Sequence, residues 1–331
     1  MPNAALVRRC REHPAGARFE VSPPADSVVR KARRSAASSR SADVAVSGHR
    51  DRSAVIRRGC GTRATRPRLS RSKNVVMRHP ARPILNALTY LPERTVLQTP
   101  ALLGMEYTDL SLRTSDGETV HAWWMPAPDS VGHILFAHGN AGNLGDRVPI
   151  FALLTEAGFD VLAFDYRGYG RSTGRPTEHG TYLDAHAARR ALLAQPGVDP
   201  NRVLYLGKSL GGGVVLELAQ HHPPAGVMLM STFSGLRDAA RSVYPFLPAP
   251  LVPNAYPNER RIRSLRAPVL IMHGDQDELL PLRHAQRLYA AAPEPKRLVV
   301  FPGAGHNDLI VVGGSAWYDL VRTWAGALVR S

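Results

Sequence analysis

From Gly132 onward the chain alternates short apolar, β-branched runs with longer segments whose apolar positions recur at helical spacing. The runs at about 133–138, 160–164, 202–207, 226–231, 268–273 and 297–301 predict strands, and the segments at about 145–157, 179–195, 210–221, 282–292 and 315–329 predict helices. A strand that is apolar on successive residues is buried on both faces. This rhythm therefore predicts an α/β fold with a mostly parallel sheet and helices on both faces. Ahead of it, Met105 to Arg113 and Thr119 to Met125 read as strands joined at Ser115-Asp116-Gly117-Glu118, a hairpin that predicts an antiparallel N-terminal edge. On the last helix Trp317, Leu320, Val321 and Trp324 share one face and read as core anchors.

The rhythm stops between Phe233 and Ala267. Pro245, Pro248, Pro250, Pro253 and Pro257 break any long helix there, while Tyr244, Phe246, Leu247, Leu251, Val252 and Tyr256 supply apolar surface. Residues of about 233–267 thus predict a short cap over a shallow, partly open pocket with an apolar rim. The alternative is a proline-rich connection packed on the surface.

Composition changes this picture mainly at the N-terminus. The 331 residues suffice for one α/β domain and are too few for two. The net charge of +15 is unevenly placed: residues 1–76 hold 18 Lys/Arg against 5 Asp/Glu. That segment also holds both cysteines, Cys10 and Cys60, and almost no aromatic residue. Such a composition buries too little apolar surface to offset its ordering entropy. The division predicted is a basic segment over 1–76, either disordered or lying ahead of a true start at Met77, and a folded domain over 77–331. A basic arm for nucleic acid or anionic lipid, and a targeting segment, are the competing readings of 1–76. No stretch reaches the roughly 20 apolar residues of a membrane span, since Pro83, Pro92, Glu93 and Arg94 interrupt the nearest candidate. With no cysteine in 77–331 there is no disulfide framework. These features predict a cytoplasmic protein with no signal peptide or transmembrane helix. They leave room for peripheral contact with an anionic membrane and count against nucleic acid as a partner.

The candidate chemistry lies at strand ends. Gly207-Lys208-Ser209-Leu210-Gly211 reads G-x-S-x-G between the apolar run Val203 to Leu206 and the helix-forming run Val214 to Gln220. A serine on so tight a turn has a strained backbone, and a Cβ at either glycine would strike the neighbouring strand or helix. The turn lifts the hydroxyl clear of the sheet, and the helix N-terminus behind it favours developing negative charge. The bare pattern arises by chance about one time in ten in a chain of this length, so it counts only together with its partners. A serine hydroxyl attacks only beside a base, and a triad on this turn needs the chain order Ser, Asp, His. Pro268 to His273 runs into Gly274-Asp275-Gln276-Asp277-Glu278, and Leu298 to Phe301 runs into Pro302-Gly303-Ala304-Gly305-His306. Ser209 is the candidate nucleophile and His306 the candidate base. The acid is open on chemistry alone, because Asp275, Asp277 and Glu278 all follow one strand.

Upstream, Ile134 to Ala137 leads into His138-Gly139-Asn140-Ala141-Gly142-Asn143, a glycine-rich loop placed to supply a second N–H for an oxyanion hole. His138, His273 and Asp165 read as loop-ordering residues. Lys208 reads as an exposed, solvated lysine, or alternatively as an attractor of acidic substrates. No metal-ligand cluster of credible spacing is visible, nor a phosphate-binding glycine loop with its lysine. Neither cofactor nor metal is therefore expected.

These motifs, with Asp165-Tyr166-Arg167-Gly168-Tyr169-Gly170-Arg171-Ser172, resemble the α/β-hydrolase superfamily over roughly Leu85 to the C-terminus. Within it the chain is similar to bacterial relatives of the eukaryotic ABHD13/ABHD17 and Bem46 serine hydrolases. The resemblance implies the α/β-hydrolase fold and a serine hydrolase acting on carboxylic esters or thioesters of acyl or lipid type. Its His-Gly-x-x-Asp pattern places the acid at Asp277, with Asp275 holding the turn, and it implies an oxyanion hole made by the backbone N–H groups of Asn140 and Leu210. Eukaryotic members carry a membrane anchor or cysteine cluster ahead of the domain, and nothing comparable is visible in this sequence. A cofactor-free haloperoxidase or perhydrolase would use the same residues. A non-catalytic binding protein on this fold is the reading from another class.

Overall fold

The computed structural model describes residues 82–244, 252 and 254–330. The predicted hairpin forms: β1 (Thr108–Arg113) and β2 (Thr119–Met125) pair antiparallel, with Leu110 opposite Ala122. Its turn needs a left-handed residue, which Gly117 supplies at φ 94°. Six further strands complete an eight-stranded sheet. They are β3 (Gly132–Ala137), β4 (Phe159–Phe164), β5 (Val203–Lys208), β6 (Gly226–Met230), β7 (Val269–Gly274) and β8 (Lys296–Phe301). The spatial order is β1-β2-β4-β3-β5-β6-β7-β8; β4 to β8 run parallel, and β2 meets β4 antiparallel. Every residue of β3 to β7 is buried.

The helices are α1 (Arg82–Thr89), α2 (Val148–Glu156), α3 (Glu178–Leu193), α4 (Leu210–His221), α5 (Leu236–Val243), α6 (Asn258–Ile262), α7 (Arg283–Ala291) and α8 (Leu309–Val329). Apolar residues of α3, α4 and α7 pack with one face of the sheet, and those of α2 and α8 with the other. The mostly parallel sheet with an antiparallel edge and helices on both faces is the fold that the periodicity predicts. Trp317, Leu320, Val321 and Trp324 are buried, as their spacing implies. The helix carrying them starts earlier than predicted, at Leu309, because Gly314 at φ 48° turns the path between two helical pieces.

From β3 the chain passes to β4 on one side and then to β5 on the other. That reversal opens a crevice above the C-terminal ends of β3 and β5, where the loops diverge. The segment read as a cap contributes, among the described residues, the short helices α5 and α6. Phe246, Leu247 and Leu251, assigned to its apolar surface, lie outside the described residues, as do residues 1–81. Tyr256 corrects the cap reading. It is fully buried, and its hydroxyl meets those of Tyr90 and Thr181, each at 2.9 Å. Among the described residues no helix is long and apolar enough to cross a membrane.

Candidate active site

Ser209 stands between β5 and α4 at φ 51°, ψ −112°, a conformation that costs a non-glycine residue energy and is held by its surroundings. Its N–H donates to the Met230 carbonyl at 2.8 Å, and its own carbonyl accepts from Gly212 N–H at 3.1 Å. Space dictates the two glycines. A Cβ on Gly207 would come within 2.5 Å of the Gly211 backbone, and one on Gly211 would strike the Ala137 carbonyl. The turn is tight because α4 packs directly on β5 and β3.

His306 and Asp277 reach this serine from the ends of β8 and β7. The His306 Nε2 lies 3.2 Å from Ser209 Oγ, and its Nδ1 lies 2.8 Å from Asp277 Oδ2. The other carboxylate oxygen, Oδ1, accepts backbone N–H groups from Leu279 at 3.1 Å and Leu280 at 2.7 Å. Burial pushes the Asp277 carboxyl up, but the hydrogen bond and charge of His306 and the Leu280 N–H outweigh it. The group is held below the ordinary carboxylate range. An ionised Asp277 favours the His306 tautomer with its proton on Nδ1, leaving Nε2 to accept from the serine. Asp275 stands apart: its Oδ1 accepts Gly303 N–H at 2.7 Å and closes the two loops on each other. His273 donates from Nε2 to the Leu280 carbonyl at 2.6 Å, and burial pulls its imidazole below the ordinary histidine range beside Asp277.

The loop after β3 is fixed from both flanks. Leu91 and Pro92 pair in parallel with Ala141 and Gly142, and Leu91 N–H donates to the Asn140 carbonyl at 2.9 Å. The Tyr166 hydroxyl donates to the His138 carbonyl and the Tyr169 hydroxyl to that of Asn140, each at 2.7 Å. With these carbonyls tied back, the N–H groups of Asn140 and Leu210 have no acceptor among the described residues, and both residues line the cavity in front of Ser209. The two tyrosines and Leu91 are functional residues that sequence reasoning misses. The signal was the Asp-Tyr-Arg-Gly-Tyr-Gly run, read as a brace through Asp165 alone. Asp165 does brace: it accepts Leu144 N–H at 3.0 Å and faces His121 and His138.

A cavity of about 360 Å³ opens beside Ser209, walled by Leu88, Leu91, Phe233, Leu236, Val243 and Val252 among others. Tyr244 and Val252 line it, as the cap reading expects. Lys208 overturns its reading as a solvated surface lysine: it is only 7% exposed, and its Nζ donates to Asn307 Oδ1 at 3.2 Å. Burial, first, and the charge of Arg147, second, pull its ammonium down to about 8. The packing also makes a grouping of metal-ligand type. His186 of α3 with Glu217 and His221 of α4 bring three possible ligand atoms within 4.8 Å of one another, a grouping able to hold a metal ion. Only the packing of α3 against α4 makes it, so no sequence spacing announces it. None of the three lines the cavity beside Ser209.

Comparison with known proteins extends the picture. Residues 132–249 and 249–311 match a family model described as alpha/beta hydrolase fold. An uncharacterized protein of Mycobacterium tuberculosis is 40% identical over 238 residues, which cover 71% of this chain and 85% of the relative. The uncharacterized YfhR of Escherichia coli K12 is 34% identical over 202 residues, covering 58% of this chain and 71% of that protein. Among solved structures, the esterase Pf2001 of Pyrococcus furiosus has a similar fold, with a TM-score of 0.61 at 24% identity over 71% of this chain and 97% of its own. The esterase domain of a Rhodothermus marinus protein gives a TM-score of 0.52 at 25% identity over 66% and 100%. The family match runs from the first residue of β3 into α8 and so takes in the elbow, the glycine-rich loop and the ends of β7 and β8; on that match, and on a relative covered over most of its length, this chain belongs to the alpha/beta hydrolase fold family.

Proposed function

We propose that the protein is a serine hydrolase that cleaves carboxylic esters or thioesters of acyl type, and that it is a bacterial relative of the ABHD13/ABHD17/Bem46 group. The observation that carries the reading is the Ser209–His306–Asp277 relay, with contacts of 3.2 and 2.8 Å, at the mouth of an apolar cavity. The similar folds of the Pyrococcus furiosus esterase and of the Rhodothermus marinus esterase domain support the same chemistry.

In this reading Ser209 Oγ attacks the substrate carbonyl carbon while its proton passes to His306 Nε2. The oxyanion lies against the N–H groups of Asn140 and Leu210, each worth about 3 kcal/mol in the transition state. The intermediate collapses as Nε2 returns the proton to the leaving oxygen or sulfur, which departs as alcohol or thiol. Water then attacks the acyl-enzyme, gives its proton to Nε2, and the acid leaves as Ser209 recovers its hydrogen. Asp277 keeps the imidazole oriented and offsets its transient positive charge. The cavity volume suits a small acyl substrate and lies at the low end of ligand pockets generally.

A chain-length series of acyl esters and thioesters, run beside fluorophosphonate labelling, tests this. Turnover and labelling that both vanish in Ser209→Ala are the expected result. Peroxide-dependent halogenation without hydrolysis, or no labelling of folded protein, would overturn it.

A further inference from the structure

Two cations stand at the proposed site without an ion pair among the described residues, Asp146 and Asp165 acting on Arg147, and Asp277 and Asp308 on Lys208, only from farther off. Lys208 immediately precedes the nucleophile and Arg147 precedes α2, and no carboxylate lies within 4.0 Å of either among the described residues. Among the described residues each makes a single hydrogen bond, to a neutral acceptor: Lys208 to Asn307 and Arg147 to the Ala141 carbonyl at 2.6 Å. The Arg147 Nε is buried and bonded to nothing. Burial weighs on both ammonium and guanidinium, and the charge of Arg147 adds to the cost at Lys208, more than the distant acids offset. Two like charges kept together in a partly desolvated place are a poor structural device. A bound anion would satisfy both.

The cavities say where that anion sits. Next to the 360 Å³ cavity lies a second of about 120 Å³, lined by Ile150, Leu153 and Met230 and, at one side, by Asp146. Four residues belong to both: Arg147, Lys208, His306 and Asn307. They form the neck between the two spaces. Ser209, Asn140 and Leu210 line only the larger one, whose walls are apolar and suited to an acyl chain. The leaving atom must lie close to His306 Nε2, because that nitrogen returns the proton to it. The first atoms beyond the scissile bond on the leaving side therefore enter the neck and meet Lys208 and Arg147.

We propose that the substrate is an acyl ester or thioester whose leaving group carries an anion, phosphate or carboxylate, a few bonds from the scissile atom, and that Lys208 and Arg147 bind it. The inference rests on the serine-hydrolase reading and narrows it. Charge-assisted hydrogen bonds of this kind favour the anionic substrate by about 10- to 100-fold each.

The test uses the full chain and three octanoyl esters that share an acyl group: of glycerol, of glycerol 3-phosphate and of glycolate. The expected result is a kcat/KM at least about ten-fold higher for one or both anionic esters than for the glycerol ester, with their ranking telling phosphate from carboxylate. That ratio collapses in Lys208→Met and in Arg147→Gln, and is kept in Arg322→Gln, which removes a surface cation on α8 and controls for general attraction. Calorimetric titration with glycerol 3-phosphate and with glycolate reads the neck without turnover, and binding weakened in Lys208→Met supports it. Turnover of the glycerol ester with no anionic advantage, or an advantage unchanged in both variants, overturns the anionic neck and leaves the hydrolase reading standing. No turnover of any ester and no fluorophosphonate labelling overturns the hydrolase reading itself. In that event, absence of binding of both anions overturns the neck as well.

Discussion

At the residue scale, the contacts of Ser209, Asp277 and Lys208 each lead to a measurement. Ser209→Ala leaves the turn intact, since alanine fits the same backbone, and is expected to lower ester turnover by up to about a million-fold with an unchanged melting temperature. Asp277→Asn is expected to cost about ten-thousand-fold in kcat, because an amide there selects the wrong His306 tautomer. Among the described residues the Asp275 carboxylate accepts only the Gly303 N–H, so Asp275→Asn is expected to act on stability more than on rate. A folded Asp275→Asn that is the slower of the two would exclude Asp277 as the orienting acid. Lys208 yields a prediction of opposite sign. The charged groups that bear on its ammonium are Arg147, Asp277 and Asp308, and burial outweighs the two acids, so the folded value falls from 10.5 to about 8. Below pH 8 the lysine is protonated folded and unfolded, and the folded state bears the full cost of the buried charge. Between about 8 and 10.5 the unfolded chain holds a proton that the folded one has lost, so this contribution to stability rises with pH. Lys208→Met is therefore expected to stabilise the fold by on the order of 3 kcal/mol at pH 7, with the gain fading by pH 10. Denaturant titrations at the two pH values check it, and equal or lower stability of the variant at pH 7 would refute the buried-charge account. Ser209 and His306 were legible because a turn motif and a chain order mark them. Choosing Asp277 over Asp275 needed the resemblance, since both follow β7. The burial of Lys208 was not legible, because Arg147 and Asn307, remote in sequence, close over it.

At the scale of elements, the loop after β3 decides whether two N–H groups face the cavity. Its carbonyls at His138 and Asn140 are held by Tyr166 and Tyr169, which arrive from the loop after β4, and by Leu91. Removing one hydroxyl takes away one anchor of this loop and lets the adjoining peptide that carries the Asn140 N–H shift, which misplaces the donor without touching substrate. Tyr166→Phe and Tyr169→Phe are expected to lower kcat by between about ten- and a hundred-fold, with KM nearly unchanged, because the oxyanion exists only in the transition state. A change confined to KM would mean that the tyrosines serve binding or packing instead. The strands and most helices were legible from periodicity, which the burial of β3 to β7 explains: a strand covered on both sides must be apolar throughout. The cap was less so. Its described helices α5 and α6 are too short to show a period, and Tyr256 turns inward because Tyr90 and Thr181 offer its hydroxyl partners. Those partners are 166 and 75 residues away in sequence, beyond any local pattern.

At the scale of the whole molecule, charge and chemistry separate along the chain. The net charge of +15 lies almost entirely in residues 1–76, with 18 basic against 5 acidic side chains, whereas the described residues that line the two cavities fall between Leu88 and Val311. The sheet, its covering helices and the relay at Ser209 are assembled from residues after Arg82. The basic segment has no apolar periodicity with which to dock on that assembly. Deleting residues 1–76 is therefore expected to leave the melting temperature and the turnover of a soluble ester unchanged. A cluster of Arg and Lys can still draw the protein to an anionic surface, and that attraction is screened within about a nanometre at ordinary ionic strength. The informative comparison is the full chain against 77–331 on vesicles containing acidic lipid, in low and in high salt. Binding by the full chain alone, lost in high salt, would assign the segment to surface attachment and the domain to catalysis. Loss of folding or of most soluble turnover in 77–331 would instead make the segment part of the catalytic unit, and the division at residue 77 would fall.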